Sequence, residues 1–428
     1  MVEVNRSRIE RFRQFKREIR GSEEYLVVGI DIAKEKHHAF FGTATGKTLL
    51  RRLIFDNHRE GFEKLLIHVE AIKVQHGLKE VVFGWEPTAN YHKPLGEYLI
   101  RKGYEVVLVG GVAVKKNREL LDNRWDKHDT KDAANVADLI SQGKCLFYEY
   151  PSLALRELRD LLSLKRRLKK QEHGYQVRIR NHLLAQYFPE MDVYYEQSQV
   201  GSLGIVKWCL SPSKISEMGF DGFVRLVSSR RVGIVQERRL RLIWEKARGS
   251  IGCEVGEAVA FGASLMVDGL RQIREALKAT EAKIEEVCKG FSEYECLLSI
   301  PGFGPDVSSK VLGAIGDPFR FQNGRQVLKL AGYDLSADRS GKESEQALPV
   351  ISKKGKADLR YALYQAAHIA STKHSGFMTY YTDKLRGRQR EQGIQTKMKV
   401  KLAAKLLIIA WTLMKRKEYF DPSYLDLA

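Results

Sequence analysis

The sequence predicts an α/β domain toward the N-terminal end, a long helical coiled-coil middle and a mostly α C-terminal domain. Three observations carry that prediction. Between Tyr25 and Val109, short apolar runs alternate with stretches of helical periodicity, as strands and helices do in an α/β domain. From Pro151 to about Tyr187, and again over Arg271–Cys288, Leu and Val recur at helical spacing with few breakers, which reads as two long helices pairing as a coiled coil. From Cys296 onward, Gly-rich turns around Gly332 and Gly341 separate further helical stretches.

The elements follow in order. Residues 1–23 form a basic arm, helical or flexible. An apolar strand is expected at Leu26–Ile32, opening a hairpin that alternates through FFGTATGKTLLRRLIF. A helix over Arg59–Val74 leads to a strand Glu80–Trp85, then a helix Lys93–Lys102 and a strand Tyr104–Val109. This domain spans 24–150 and the helical middle 151–290, within which the stretch near 190–265 mixes Gly, Ser, Pro and short apolar runs and gives no chemical signal. Helices from Lys356 through Ala370 and Met398 through Met414 belong to a C-terminal domain, 291–428.

Composition narrows the function. Among 428 residues, 72 Lys and Arg face 53 Asp and Glu, a formal net charge of +19, so the folded surface presents a positive field and polyanions are its expected partners. No apolar run reaches the roughly 18 residues of a membrane span, and MVEVNRSRIERFRQFKREIR carries charges where a secretory signal would be apolar. We therefore expect a cytoplasmic protein with no membrane partner. Five scattered cysteines without a CxxC pair fit a reducing compartment and read as small core residues.

Four acids stand where phosphodiester chemistry would need them. Asp31 ends the first apolar run, and Glu86 ends VVFGWE in the same relative place, so the two face one another if their strands are neighbours. In NRWDKHDTKDAANVADLI, Asp129 and Asp132 are three apart where a helix begins, on one helical face. Such a cluster suits two Mg²⁺ ions about 4 Å apart, with Mn²⁺ the alternative, held by hard oxygen ligands. Each acid also has a plain reading: Asp129 and Asp132 as a capping pair, Asp31 as the end of a hairpin, Glu86 as a solvated turn before Pro87. Asp122, Asp126 and Asp138 lie nearby, and spacing leaves Asp126 open as a substitute. His37, His38 and His128 are near the acids and receive no role.

Farther on, SIPGFGPDVSSKVLGAIG reads as helix, tight turn, helix, with Gly302 and Gly304 bringing backbone N–H groups toward a helix N-terminus that could cradle a phosphate. The same string also serves as an ordinary helix connection. Ser340 lies in an Arg-Ser-Gly-Lys loop between Arg339 and Lys342, where cations favour a hydroxyl attacking phosphorus; Ser336, Ser344 and Ser352 compete. Lys353, Lys354, Lys356 and Arg360 form a basic run suited to phosphate contact or to a solvated face.

Together these strings resemble the DEDD transposases of the insertion sequence 110 family. The resemblance rests on GIDIAKEKH, EPTANYHKPLGEYL, KHDTKDAANVADLI, IPGFGPDVSSKVLGAIGDPFRF and YDLSADRSGKESEQALPVISKKGKADLRYALYQAA, over roughly 24–150 and 290–375. Leu335 departs from it, standing where the family tends to carry Pro. The resemblance implies an RNase H-like (RuvC-like) N-terminal domain whose four acids are Asp31, Glu86, Asp129 and Asp132, and a C-terminal domain whose nucleophile is Ser340. It further implies recombination of element DNA with a target, a structured guide RNA from the element, and a homo-oligomer, dimer or tetramer, assembled through the helical middle in a bacterial or archaeal cell. Two rival readings remain open at this point: a RuvC-like hydrolytic junction nuclease, and a nucleic-acid-binding protein that does not cleave.

Overall fold

A computed structural model of the chain describes residues 8–122, 129–148, 150–192, 201–228, 231–336 and 350–425. Its contacts divide into two compact units, Met1–Ser152 with Ile315–Gly355, and Leu153–Ala314 with Lys356–Ala428.

The first unit is built on a mixed six-stranded sheet. Helix α1 (Arg8–Ile19) precedes strands β1 (Tyr25–Asp31), β2 (Lys36–Thr43) and β3 (Thr48–Asp56); helix α2 (Arg59–His76), strand β4 (Glu80–Trp85), helix α3 (His92–Arg101) and strand β5 (Glu105–Leu108) follow. Helices α4 (Gly111–Asp122) and α5 (Asp129–Ser141) and the short strand β6 (Leu146–Phe147) complete it. Strand order is β3-β2-β1-β4-β5-β6. The first three strands run antiparallel, β1, β4 and β5 are parallel, and β6 returns antiparallel.

Strand alternation sorts two cores onto the two faces. Leu26, Val28, Ile30, Val81, Phe83 and Trp85 point to the side covered by α2 and α3, among Phe62, Leu65, Leu95 and Leu99. Val27, Val82 and Val107 point to the other side, where Val114 of α4 and Val136, Ala137 and Ile140 of α5 cover them. The basic N-terminal segment contributes to this second core, with Phe15 and Ile19 buried: an apolar pair four apart on one helical turn overrides the charge of its surroundings.

In the second unit, α6 (Leu153–Arg178) continues as a π-helical stretch, Ile179–Leu184, and short helices α7 (Gly201–Trp208), α8 (Pro212–Glu217), α9 (Phe220–Val227) and α10 (Ile234–Ala247) precede the long α11 (Glu257–Cys288). The pair α6 and α11 is antiparallel. Lys165 meets Glu281 at 2.8 Å and Arg274 meets Glu172 at 3.2 Å, so residue numbers fall on one helix as they rise on the other. Helix α11 starts well before the expected Arg271, because Gly262 and Gly269 do not break it. At Gly269 a β-carbon would stand 2.8 Å from the Tyr175 hydroxyl, so the glycine serves the close approach of α6.

The stretch that carries no chemical signal in the sequence has its own core. Leu203, Ile205, Val206, Phe223, Leu240 and Ile243 of α7, α9 and α10 close over Ile179, Leu183 and Phe188 and over Ala263 and Val267 of α11. Four of the five cysteines are buried; Cys253 is exposed. Burial pushes the Cys145 and Cys288 thiols up to about 12 and Cys209 up to about 11, as expected of packing residues and not of nucleophiles.

Helices α12 (Ser292–Leu298) and α13 (Pro305–Ile315) flank the PGFG turn, and α14 (Gly324–Ala331) leads to a two-stranded ladder, β7 (Leu335–Ser336) with β8 (Val350–Ile351). Helices α15 (Ala357–Lys373), α16 (Ser375–Leu385) and α17 (Ile394–Arg416) end the fold. Among the described residues, no helix is long and apolar enough to cross a membrane.

Candidate active site

Two glycines build the site. Gly29 of β1 and Gly84 of β4 are register partners, so they form a flat stripe across two neighbouring strands. Helix α5 lies on that stripe. A β-carbon on Gly29 would stand 2.6 Å from the Ala137 amide nitrogen and collide with the Ala133 carbonyl oxygen, and one on Gly84 would stand 2.7 Å from a Val107 methyl and collide with Ile140. Only glycine admits the helix this close to the sheet.

That seating fixes the acids. Asp31 is two residues beyond Gly29 and shares its face. Glu86 is two residues beyond Gly84, and the pairing Ile30 with Trp85 makes Asp31 and Glu86 the next positions along the ladder. Glu86 also lies on the α4 side: its carboxylate occupies the space that any side chain on Gly111, the first residue of α4, would need. There it meets the positive end of a 12-residue helix. Asp132 precedes Ala133 in the first turn of α5, the helix seated on that same face of the sheet. Asp31, Glu86 and Asp132 thus lie on one face of the sheet, Asp31 and Glu86 at the ends of neighbouring strands and Asp132 on the helix packed over them. The fourth acid, Asp129, opens α5, but its side chain lies outside the described residues, as do Asp126 and His128.

Charge at this edge is partly compensated. Asp132 is buried, and the Arg118 guanidinium of α4 stands 2.6 Å from its Oδ1. The contact is ionic in character: neither Asp132 Oδ1 nor Arg118 Nε has a hydrogen-bond partner of good geometry among the described residues. Helix α4 is fastened to α5 beside this pair, because Asn117 donates to Asn135 at 2.7 Å and to Asp138 at 2.8 Å, and Asn135 donates to the Val114 carbonyl. Asp138, a neighbouring acid in the sequence, is thereby committed to holding helices together.

Among the described residues no three His, Cys, Asp or Glu side chains stand close enough together to hold an ion. The donor set nonetheless fits a hard divalent cation. Carboxylates from two strands and one helix share one face of the sheet, and among the described residues one of them keeps a buried oxygen that accepts no hydrogen bond.

Two neighbours take their place only in the fold. His38, near the acids in the sequence but given no role, is the antiparallel register partner of Asp31. Arg118 is fourteen residues from Asp132 and belongs to another helix; its nearest signal is position in an otherwise plain basic stretch.

The second group of expected residues is distributed. Ser340, Arg339 and Lys342 lie outside the described residues. The residues that flank them in sequence are described: Ser352 donates to Asp334 at 2.5 Å, the Ser352 amide donates to the Asp334 carbonyl, and Lys353 holds φ of 55° while its N–H reaches the Gly332 carbonyl. Lys353 and Lys354 are exposed beside it. Gly302 turns at φ of 87°, and a β-carbon there would collide with the Ala366 carbonyl of α15, so helix packing alone demands a glycine. Gly304 faces open space. The N-terminus of α13 beside it already has an anion, Asp306, which takes Lys165 and Lys310, each at 2.7 Å. Arg360 sits in the first turn of α15, half-buried.

Comparison with known proteins adds to this geometry. A family model of DEDD transposases of IS110 matches residues 28–189, and a model described as transposase of the IS116/IS110/IS902 family matches residues 294–382. The chain is 23% identical over 422 residues to the insertion element IS110 uncharacterized 43.6 kDa protein of Streptomyces coelicolor, covering 94% of this chain and 98% of that protein. It is 22% identical over 402 residues to the insertion element IS116 uncharacterized 44.8 kDa protein of Streptomyces clavuligerus, covering 92% and 96%.

Proposed function

The chain belongs to the insertion sequence 110 family of transposases, enzymes that cut and rejoin DNA, and from that premise we propose that it joins strands through a serine attached transiently to DNA beside a carboxylate-held metal. In this reading the six-stranded sheet is an RNase H-like (RuvC-like) domain, and Asp31, Glu86, Asp129 and Asp132 hold Mg²⁺ or Mn²⁺. The observation that supports it is the paired-glycine seat, which packs the helix that carries Asp132 on the sheet face to which Asp31 and Glu86 belong, one step beyond the pairing of Ile30 with Trp85.

When bound, the divalent ion supplies stabilisation of the charge that gathers on the scissile phosphate. Everything else falls to the chain. The Ser340 Oγ forms a bond to phosphorus as the DNA P–O bond breaks, its proton leaving to solvent and the departing DNA oxygen taking one up. A hydroxyl of the incoming strand then attacks the phosphoserine and releases the serine, so strands are rejoined without hydrolysis. The stem of Asp334 and Ser352 supports the loop, and Arg339, Lys342, Lys353, Lys354, Arg360 and the turn at Gly302 and Gly304 contact phosphates. A structured RNA from the element guides target choice, and two or four copies assemble through the α6–α11 pair, in the cytoplasm.

The test is to incubate the protein with element-end DNA and its flanking RNA in Mg²⁺, denature, and look for DNA covalently attached. An adduct in wild type that is lost in Ser340→Ala and Asp31→Ala is expected. Free cut ends without an adduct would replace this mechanism with a hydrolytic one.

A further inference from the structure

We propose that Arg118 is a built-in counter-cation of the acidic edge, which a divalent ion must displace from Asp132 before the site is loaded. The inference rests on the acid-site reading above and adds a competitor to it. Asp132 is buried to 5% exposure, where a carboxylate ordinarily has a charged or hydrogen-bonding partner, and the Arg118 guanidinium stands 2.6 Å from its Oδ1.

Three features make that partner exchangeable instead of permanent. The contact is close but poorly directed, leaving Asp132 Oδ1 and Arg118 Nε without a hydrogen bond among the described residues, whereas a bidentate arginine–carboxylate pair would satisfy both. The Arg118 side chain is 23% exposed, so the guanidinium has a way out to water. Helix α4 need not move to release it, because the bonds of Asn117 to Asn135 and Asp138 hold α4 on α5 one residue earlier. Swinging the side chain alone frees the carboxylate oxygen. The physical consequence is that metal affinity is set by a competition: a +1 group already at Asp132 lowers the gain from placing a +2 ion there.

The experiment is calorimetric titration of Mn²⁺ into the full chain, wild type against Asp31→Asn, Arg118→Gln and Arg118→Lys, with thermal melts in EDTA. Without a competing ion pair, Arg118→Gln should bind Mn²⁺ roughly tenfold tighter, the weight of a partly buried pair. Arg118→Lys, whose compact ammonium is held less well at a planar carboxylate, should bind about threefold tighter. Metal-free Arg118→Gln should melt below wild type, and saturating Mn²⁺ should close that gap. Should Arg118→Gln fail to fold, Arg118→Lys decides alone. Wild-type binding lost in Asp31→Asn, combined with equal or weaker binding in the Arg118 variants, overturns the role of Arg118 and leaves the acid site standing. Absence of Mn²⁺ binding by wild type overturns both.

Discussion

Adding one methyl group at Gly29 is the sharpest perturbation of this fold. The β-carbon of Gly29→Ala would stand 2.6 Å from the Ala137 nitrogen where real contacts rarely fall below 3.0 Å, so α5 must retreat by at least the 0.4 Å difference, and farther to clear the Ala133 oxygen. Overpacking of this kind costs about 1–3 kcal/mol, which for a unit of this size corresponds to a fall in Tm of about 2–4 °C per kcal/mol. The larger effect is expected on chemistry. In the proposed mechanism Asp132 rides on the displaced end of α5, and misplacing a catalytic group by about 1 Å costs on the order of 100-fold in rate, whereas DNA binding through the lysines proposed to contact phosphates should hold. The assays are thermal melting, strand joining and DNA binding at fixed salt. Gly222→Ala is the control, since a methyl there meets nothing within 4 Å. If Gly29→Ala melted within about 1 °C of wild type and joined DNA within about twofold, the argument that the glycine stripe positions the acid would be refuted.

Two further outcomes follow from charges inside the units. Lys165→Met removes a cation from Glu281 and leaves Asp306 with Lys310; the two acids are 48% and 41% exposed, so solvent screening limits the loss to about 1–2 kcal/mol in chemical denaturation. Burial raises the Asp306 carboxyl, but hydrogen bonds from Lys165 and Lys310 outweigh it and hold it below the ordinary 3.8; its contribution is present above that pH and disappears as pH falls through the lowered value, so Lys165→Met should show a shallower acid limb. Burial also holds the His92 and His37 imidazoles below the ordinary 6.5. Their neutral forms therefore support the fold above pH 6.5 and that support declines as pH drops below it, so Tm should fall on acidification and His92→Phe, which keeps the edge contact with Tyr148, should remove part of the slope.

Much of this protein is legible in its sequence because much of it is local. Strand β4 falls on Glu80–Trp85, as the bounded apolar run predicts, and α2 starts at Arg59 and ends one turn's fraction past Val74 at Gly77, whose left-handed φ of 67° closes the helix. Asp31 and Glu86 are found at strand ends because apolar runs end where water begins. The transposase family, too, is carried by short strings that survive reading one letter at a time.

What the sequence leaves open is whatever depends on partners far along the chain. Gly29 and Gly84 look like two weak spots in strands, and only the register that pairs them shows a groove for α5. Arg118 is one cation among many until folding sets it against Asp132. The stretch near 190–265 reads as featureless because its apolar residues serve a core whose other half comes from α6 and α11. Secondary structure follows from neighbours in sequence, a few residues apart, whereas an active site follows from neighbours in space. Which helix lies on which strands, and which cation stands at Asp132, was decided by packing between residues far apart in the chain.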